Sequence, residues 1–231
     1  LIGDFENGIS EQDIYQRVDM PYITPELRED QYSKDDLSAI NHQELVTEEH
    51  LKGCLHNHSR WSDGMNSILE MSMACKNAGL EYFGICDHSK TAVYANGLNV
   101  DRVQEQWKEI DNLNRDLVNF RVFKGIESDI LYDGSLDYED EILAGFDFVV
   151  ASVHSQLRMD QDKANERLIK AIENPFTKIL GHPTGRLLLS REGYPINHKK
   201  IIDACAQNGV CIELNANPMR LDIDWTWLPY A

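Results

Sequence analysis

From residue 51 onward the sequence alternates between short apolar runs and longer amphipathic runs, and this alternation limits the possible folds more than any other feature. Six runs have the length and composition of strands: LKGCLHNH, EYFGICDH, FRVFKGIES, FDFVVASVH, TKILGH and VCIELNAN. Four runs between them predict helices: ILEMSMACKNA, VDRVQEQWKEIDNLNRDL, ANERLIKAIEN and NHKKIIDACAQNG. Strands separated by helices pack as a parallel sheet with right-handed crossovers. We therefore predict an α/β fold, and six such strands favour a barrel-like layout over a flat sheet.

The first 50 residues lack this alternation. The segment DIYQRVDMPYITPELRED contains two prolines and many charges, with little periodicity. We expect a short helix around Ile9 to Val18, followed by extended chain, because the residue before a proline avoids the helical region. We therefore divide the chain into a linker or arm over residues 1–50 and a domain over residues 51–231.

The charge balance is strongly acidic, with 39 Asp and Glu against 22 Lys and Arg and a formal net charge of −17. An acidic surface repels phosphate backbones, so the chain alone is expected to bind nucleic acid poorly. Divalent cations bound by acidic side chains would reverse the local field. The charge therefore argues against general DNA binding and leaves room for a phosphate substrate at a metal site.

The sequence contains no signal for membrane insertion or secretion. No apolar run reaches about 18 residues, and the opening LIGDFENGIS lacks the basic and apolar parts of a secretory signal. The five cysteines lack the CxxC spacing of zinc or redox motifs. We interpret them as free thiols of a cytoplasmic protein with no membrane partner, because cytosolic thiols stay reduced.

Polar side chains stand where five of the six predicted strands end. They are His56 and His58, His88, Glu127, His154 and His182, with Asp63 in the loop after the first strand. In a parallel barrel the carboxyl ends of the strands meet on one face, so we expect these groups to lie together. Alternate strand residues face one side, so His56 and His58 can hold one ion while Asn57 points away. Imidazoles suit zinc, manganese, iron or nickel, and carboxylates add a preference for manganese or magnesium.

The position of Glu127 allows it to bridge two ions, and ions about 3.5–4 Å apart can clamp both oxygens of a phosphoryl displacement. The competing interpretation is a histidine-rich polar rim without metal. The three histidines outside the set, His42, His50 and His198, do not follow apolar runs. The concentration of the other five at strand ends favours the metal site.

Five motifs in order, HNHSRWSDG, GICDHS, KGIES, ASVHS and GHPTGRLL, resemble the PHP (polymerase and histidinol phosphatase) domain. The stretches DMPYITPELRED, TAVYANGL and ELNANPMRLDI resemble the version of this domain that is fused to bacterial X-family DNA polymerases. The resemblance covers nearly the whole chain, and residues 1–50 resemble the linker that joins polymerase and PHP domains. It implies a distorted (β/α)7 TIM-like barrel.

The resemblance also implies up to three divalent ions, with manganese or zinc favoured and iron as a further option. By this resemblance, His56, His58 and Glu127 would hold the first ion, Glu127, His154 and His182 the second, and Asp63 and His88 the third. Asp63 stands where histidinol phosphatases often have histidine, which favours the polymerase-associated branch. Family members carry a further Asp-x-His on the last strand, and the sequence reaches Ala231 without one. We therefore expect this chain to lack the C-terminal part of the barrel and to belong to a longer protein.

The function implied by the resemblance is metal-dependent hydrolysis of phosphoric esters. The substrate would be a DNA 3′ end, cleaved by a 3′–5′ exonuclease or 3′-phosphatase beside an N-terminal polymerase domain in the intact protein. Glu127 and His154 would be catalytic, and Arg186 and Arg220 would grip substrate phosphate, which arginine binds well. The alternative for both arginines is a surface or helix-end cation, and Lys90 is a weaker candidate for the same role.

Three other functions stay open at this point. The domain could be a small-molecule phosphatase resembling histidinol phosphatase, or a metal-stabilised scaffold with little activity. It could also be a metal-dependent amidohydrolase, which places an HxH motif after its first strand. Amidohydrolases usually carry their bridging group after the fourth strand, whereas Glu127 follows the third. This difference argues against the amidohydrolase.

Overall fold

The computed structural model describes residues 9–28 and 46–231. The chain divides into two compact units, residues 1–50 and residues 51–231. In the first unit, helix α1 (Glu11–Arg17) confirms the helix expected near the N-terminus, with Ser10 as its N-cap. Short 3-10 turns follow at Pro25–Leu27 and Glu48–His50. Residues 29–45 of the expected arm lie outside the described residues, and the role of this unit as a linker stays a prediction.

The second unit is built on a six-stranded parallel sheet whose strands follow chain order, as the alternating pattern predicts. The strands are β1 (Gly53–Asn57), β2 (Tyr82–Ile85), β3 (Arg121–Asp129), β4 (Phe148–Ser152), β5 (Thr177–Leu180) and β6 (Cys211–Ile212). The helices are α2 (Ile68–Asn77), α3 (Val100–Asp116), α4 (Asp140–Leu143), α5 (Gln161–Ile172) and α6 (His198–Asn208). The α/β prediction is confirmed; the sequence pattern had not revealed the one-turn helix α4.

The sheet is strongly curled. In a flat sheet, strands spaced about 4.8 Å apart would separate β1 from β6 by about 24 Å. Instead, Nδ1 of His56 in β1 lies 2.5 Å from Oε1 of Glu213, which directly follows β6. The first and last strands therefore approach each other at their carboxyl ends. This curvature confirms the barrel-like layout over the six strands.

The helix boundaries follow the capping signals in the sequence. Ser67 caps α2 by accepting the backbone N–H of Glu70, whose side chain accepts the N–H of Ser67 in return. Helix α6 ends at Gly209, whose φ of 65° is a left-handed conformation that glycine adopts without strain. Val103 and Ile110 on one stripe of α3 are buried, as its amphipathic pattern predicts.

Two apolar clusters hold the sheet and its helices together. The larger cluster packs the middle of the sheet against α3, α5 and α6 and includes Ile126, Leu168 and Ile201. The smaller cluster packs β2 and β3 against α2 and includes Ile68 and Phe83. Burial of these side chains fixes the strands, so their carboxyl ends present a rigid edge on which a site can be built. Within the described residues, no helix has the length and apolar character needed to cross a membrane.

Candidate metal centre

The centre of the site is Glu127, a buried carboxylate in the second half of β3. Its Oε1 faces three imidazole nitrogens: Nε2 of His56 at 2.9 Å, Nε2 of His154 at 3.1 Å and Nε2 of His182 at 3.0 Å. These histidines come from the ends of β1, β4 and β5, so the curl of the sheet brings them to one carboxylate oxygen. The structure thus brings together four of the residues that the sequence placed in one site.

The other oxygen of Glu127 faces the remaining two histidines. Nδ1 of His88 lies 3.0 Å from Oε2, and Nε2 of His58 lies 3.6 Å from it. Asp63 lies beside both imidazoles, with Oδ1 3.6 Å from Nδ1 of His58 and Oδ2 3.7 Å from Nε2 of His88. All seven metal-ligand candidates identified in the sequence therefore lie in one connected cluster.

The cluster contains three sets of three residues that could each hold a metal ion. Within each set, the candidate ligand atoms all lie within 4.8 Å of one another. The sets are His56, Glu127 and His182; His88, Glu127 and His154; and His58, Asp63 and His88. This grouping places His56 with His182, whereas the family resemblance places it with His58. The number of ions and the ligands of each one stay predictions.

The first strand is less regular than its HxH spacing suggests. The pairing of β1 with β2 shifts register between Cys54 and Asn57, and His56 has a φ of 58°. Simple strand alternation is therefore not what turns His56 and His58 toward Glu127. Asn57 does point away, since its side-chain amide donates to the carbonyl of Gly84 at 3.4 Å.

A second histidine of the cluster also has a positive φ, namely His182 at 23°. A left-handed conformation in a residue other than glycine costs about 1–3 kcal/mol and is typical of functional sites. Two such residues beside one buried carboxylate indicate that the fold maintains this geometry for a purpose other than stability.

Two carboxylates that the sequence analysis missed complete the site. Oδ1 of Asp129 lies 2.5 Å from Nδ1 of His154, and Oε1 of Glu213 lies 2.5 Å from Nδ1 of His56. The other oxygen of Glu213 accepts the backbone N–H of His182 at 2.6 Å. The sequence held a signal for both. Asp129 lies two residues after Glu127 on the same strand, and Glu213 stands at the sixth strand end, the one without an assigned residue.

These pairs test whether the residues suit a metal. His56 and His154 each have both ring nitrogens beside carboxylate oxygens, but a neutral imidazole has only one N–H. Burial lowers the pKa of each ring, but two carboxylates outweigh that effect: Glu127 for both rings, with Glu213 beside His56 and Asp129 beside His154. The pKa of His56 rises to about 10 and that of His154 to about 9. His56 and His154, each together with Glu127, would hold divalent cations in place of one ring proton of each histidine. An imidazole that donates Nδ1–H to a carboxylate is the common arrangement of metal-bound histidines.

On the other side of the cluster, the pKa values of His58 and His88 are lowered instead of raised. Burial lowers the pKa of His88 to about 4, although Glu127 opposes the shift, and burial also lowers the pKa of His58. Both rings are therefore neutral near pH 7, which is the form that binds metal ions. Nδ1 of His58 is buried and has no hydrogen-bond partner among the described residues. The ligand set as a whole fits divalent cations.

The loop HNHSRWSDG is pinned to the end of β2 by Asp87, which is fully buried. Its carboxylate accepts the backbone N–H and the hydroxyl of Ser59, both at 2.7 Å, and the hydroxyl of Ser62 at 2.5 Å. Gln106 of α3 adds a fourth hydrogen bond at 2.7 Å. Asp87 therefore holds the loop that carries Asp63 in place through its hydrogen bonds to Ser59 and Ser62.

A buried arginine joins two of the loops that carry site residues. Arg167 of α5 donates from Nε to the carbonyl of Leu131 at 2.9 Å and from Nη1 to the carbonyl of Ser155 at 3.1 Å. These carbonyls follow Asp129 and His154, respectively. Arg167 therefore fixes the pair that forms the short Asp129–His154 contact.

A cavity of about 600 Å³ opens above the cluster, and Arg220 contributes to its wall. Nη1 of Arg220 is buried and lacks a hydrogen-bond partner in the described part of the chain. Arg186 does not line this cavity. It donates to the carbonyls of Arg220 and Leu221 and to Asp224 at 2.7 Å. The guanidinium of Arg186 therefore holds the loop that carries Arg220, and a contact of Arg186 with phosphate stays a prediction.

Lys90 also lies outside the wall of the cavity. Its Nζ is 5.5 Å from the ring centroid of the buried Tyr138, and both residues line a separate cavity. Of the three cations considered, Arg220 is therefore the one that lines the cavity above the cluster.

The chain belongs to the PHP domain family, whose sequence model matches residues 55–217. It is 43% identical over 221 residues to the DNA polymerase/3′-5′ exonuclease PolX of Bacillus subtilis, which covers 96% of this chain and 38% of that protein. It is 30% identical over 156 residues to a probable phosphatase of Acetivibrio thermocellus, over 65% of this chain and 58% of that protein. The chain thus spans less than two thirds of the length of either relative.

A structural comparison finds the histidinol phosphate phosphatase of Lactococcus lactis, which was solved in complex with zinc, L-histidinol and phosphate. The two chains are 16% identical, with a TM-score of 0.47 over 70% of this chain and 72% of that one. Membership of the PHP family and the phosphatase relatives support the expectation of a phosphoric ester hydrolase.

Proposed function

We propose that this chain is a divalent-metal-dependent phosphoesterase domain. The observation that carries the proposal is the buried carboxylate of Glu127, which has four imidazole nitrogens at 2.9–3.1 Å. Two of these imidazoles, those of His56 and His154, also contact a second carboxylate. The ions would be held by His56, His58, Asp63, His88, Glu127, His154 and His182. Divalent ions, when bound, act as Lewis acids that lower the pKa of water and neutralise charge on phosphoryl oxygens.

The protein's own groups would orient the reaction. Glu213 and Asp129 would accept Nδ1–H of His56 and His154, so that a cation would replace only the Nε2 proton of each ring. Arg220, which lines the cavity, would bind a phosphate oxygen. Manganese and zinc suit this mixture of imidazole and carboxylate ligands, and iron does as well.

The finer function that we propose is trimming of DNA 3′ ends, as a 3′–5′ exonuclease or 3′-phosphatase acting beside a polymerase domain in the intact protein. The relation to the Bacillus subtilis protein supports this substrate class. A small-molecule phosphatase is the second candidate, supported by the relatives described as probable phosphatases and by the acidic charge of the chain.

We also propose the cytoplasm as the location of the protein. All five cysteines are free thiols, and two of them, Cys86 and Cys205, are buried. Free thiols are typical of a reducing compartment.

The test uses the purified chain loaded with Mn²⁺ or Zn²⁺. Bis-p-nitrophenyl phosphate serves as a generic diester, and primers with a 3′-hydroxyl or a 3′-phosphate represent DNA ends. We expect turnover that EDTA and His154→Ala abolish, while the control His50→Ala, at an exposed histidine outside the site, leaves it intact. Bound metal without turnover would support the scaffold, and amide or lactone hydrolysis without phosphoesterase activity would support the amidohydrolase.

A further inference from the structure

The rim of the cavity carries an aromatic side chain that the proposed chemistry does not use. Tyr94 lines the cavity and is 73% exposed. Its ring centroid lies 6.0 Å from that of His88 and 6.5 Å from that of His154. Its hydroxyl has no hydrogen-bond partner among residues 9–28 and 46–231. Since the fold makes little use of this ring, its position beside two ligand histidines suits contact with a bound molecule.

The backbone beneath Tyr94 is rigid. The ring projects from a 3-10 turn, Val93–Ala95, and the side chains of Ala92 and Ala95 on either side of it are buried. The backbone N–H of Thr91 donates to the buried Asp137 at 2.7 Å, which ties the start of this segment to the loop after β3. An aromatic ring on a fixed backbone loses little entropy when it binds, so Tyr94 is a pre-organised contact surface.

A phosphoester bound with its phosphate at the histidine cluster would bring its organic group near this ring, which lines the same cavity. The phosphate would lie at the metal cluster, in the cavity whose wall Arg220 also lines. The group esterified to the phosphate then extends toward the rim. A flat aromatic group attached within one sugar unit of the phosphate is the chemistry that an exposed tyrosine ring recognises best.

The charge of the chain limits how a nucleic acid can be recognised. With 39 acidic and 22 basic residues, the chain lacks the cationic surplus that tracks a phosphate backbone. Base stacking on an aromatic ring does not depend on that surplus, because every nucleobase has a π face.

We propose that Tyr94 is a specificity residue that stacks on the base of the terminal nucleotide, so that the domain recognises its substrate through a single nucleoside. This inference rests on the proposed phosphoesterase function and names its substrate class: nucleotide 3′ ends in preference to aliphatic phosphate esters.

The experiment compares two substrates with the full chain loaded with Mn²⁺. Thymidine 3′-monophosphate has a base next to the phosphate, and glycerol 2-phosphate has none. We expect Tyr94→Ala to lower kcat/KM for the nucleotide about tenfold more than for the glycerol ester. The change should be a rise in KM with kcat unchanged, because stacking stabilises the bound substrate and the transition state equally. Tyr94→Phe keeps the ring, so we expect it to stay within about twofold of the wild-type preference. Val93→Ala, at an exposed neighbour outside the cavity wall, controls for disturbance of the turn.

Two results would overturn the inference. Equal losses on both substrates in Tyr94→Ala would mean that the residue supports the fold or the chemistry. A loss in Tyr94→Phe as large as in Tyr94→Ala would assign the role to the hydroxyl. In either case the turnover of phosphoesters by the wild-type chain would leave the proposed function standing. Absence of turnover on every phosphoester and ion tested would refute the proposed function, and this inference with it.

Discussion

Glu213→Gln is the substitution that tests the role of the second carboxylates most directly. Glu213 accepts Nδ1–H of His56 at 2.5 Å and the backbone N–H of His182 at 2.6 Å, so it orients two of the residues that would hold a metal. An amide has nearly the same shape as the carboxylate but carries no charge. The substitution therefore removes the electrostatic support of His56 while leaving the packing in place.

The size of the effect follows from how such contacts behave. Loss of a carboxylate behind a metal-bound histidine weakens metal binding by about 10–100-fold. An ion present at 100 times its Kd stabilises the folded chain by about 2.7 kcal/mol, and a 10-fold or 100-fold weaker site reduces this to about 1.4 or about 0.4 kcal/mol. For a chain of this size the difference reduces the rise in Tm that Mn²⁺ produces by about 3–9 °C.

The assay is a Mn²⁺ titration by calorimetry, with thermal unfolding at a fixed Mn²⁺ concentration. Glu141→Gln makes the same chemical change at an exposed carboxylate of α4 and serves as the matched control. We expect weaker Mn²⁺ binding and a smaller Mn²⁺-induced rise in Tm in Glu213→Gln alone. The Tm of this variant in EDTA also falls, because Glu213 helps to raise the pKa of His56 in the metal-free chain. Equal Mn²⁺ affinities in the two variants would refute the reasoning, because Glu213 would then contribute nothing to the metal site.

Three further outcomes follow from the same geometry. Stripping the ions with EDTA should lower the Tm by about 5–10 °C, and an unchanged Tm with no metal by elemental analysis would contradict the site. In the metal-free chain the pKa of His56 is raised to about 10 and that of His154 to about 9. These raised pKa values stabilise the folded chain. The stabilisation is complete below the ordinary histidine pKa of about 6.5 and is lost as the pH rises through 9–10. Metal binding at pH 7.5 should therefore release about two protons and become tighter as the pH rises. Calorimetry in buffers of different ionisation enthalpy counts the released protons, and a count of zero would contradict this prediction. Gly64→Ala should destabilise the chain by about 1–3 kcal/mol, because the added Cβ would lie 2.0 Å from the carbonyl oxygen of His58, and an unchanged denaturation midpoint would contradict that clash.

Local signals in the sequence were sufficient for much of the fold. The N-cap at Ser67, the C-terminal glycine at Gly209 and the apolar stripe of α3 each act within a few residues, so a short window of sequence is enough to locate them. The short helix α4 was missed because one turn has no periodicity to detect.

The site shows where local signals stop. Glu127 and His154 were identified because each stands at the end of an apolar strand. Arg186 stands just past His182, a predicted metal ligand, and only the structure shows that its donors are occupied by the loop that carries Arg220. The sequence spacing of His56 and His58 suggested a regular strand, whereas a shifted register and a left-handed His56 produce the observed geometry.

The sequence by itself determined which ligand types the chain carries and at which strand ends they stand, because strand order and side-chain chemistry are written in short segments. The tertiary structure decided which of these groups meet. His56 and Glu213 are 157 residues apart, and only the curl of six paired strands brings them within 2.5 Å. That curl is a property of the whole sheet, so no single segment encodes it.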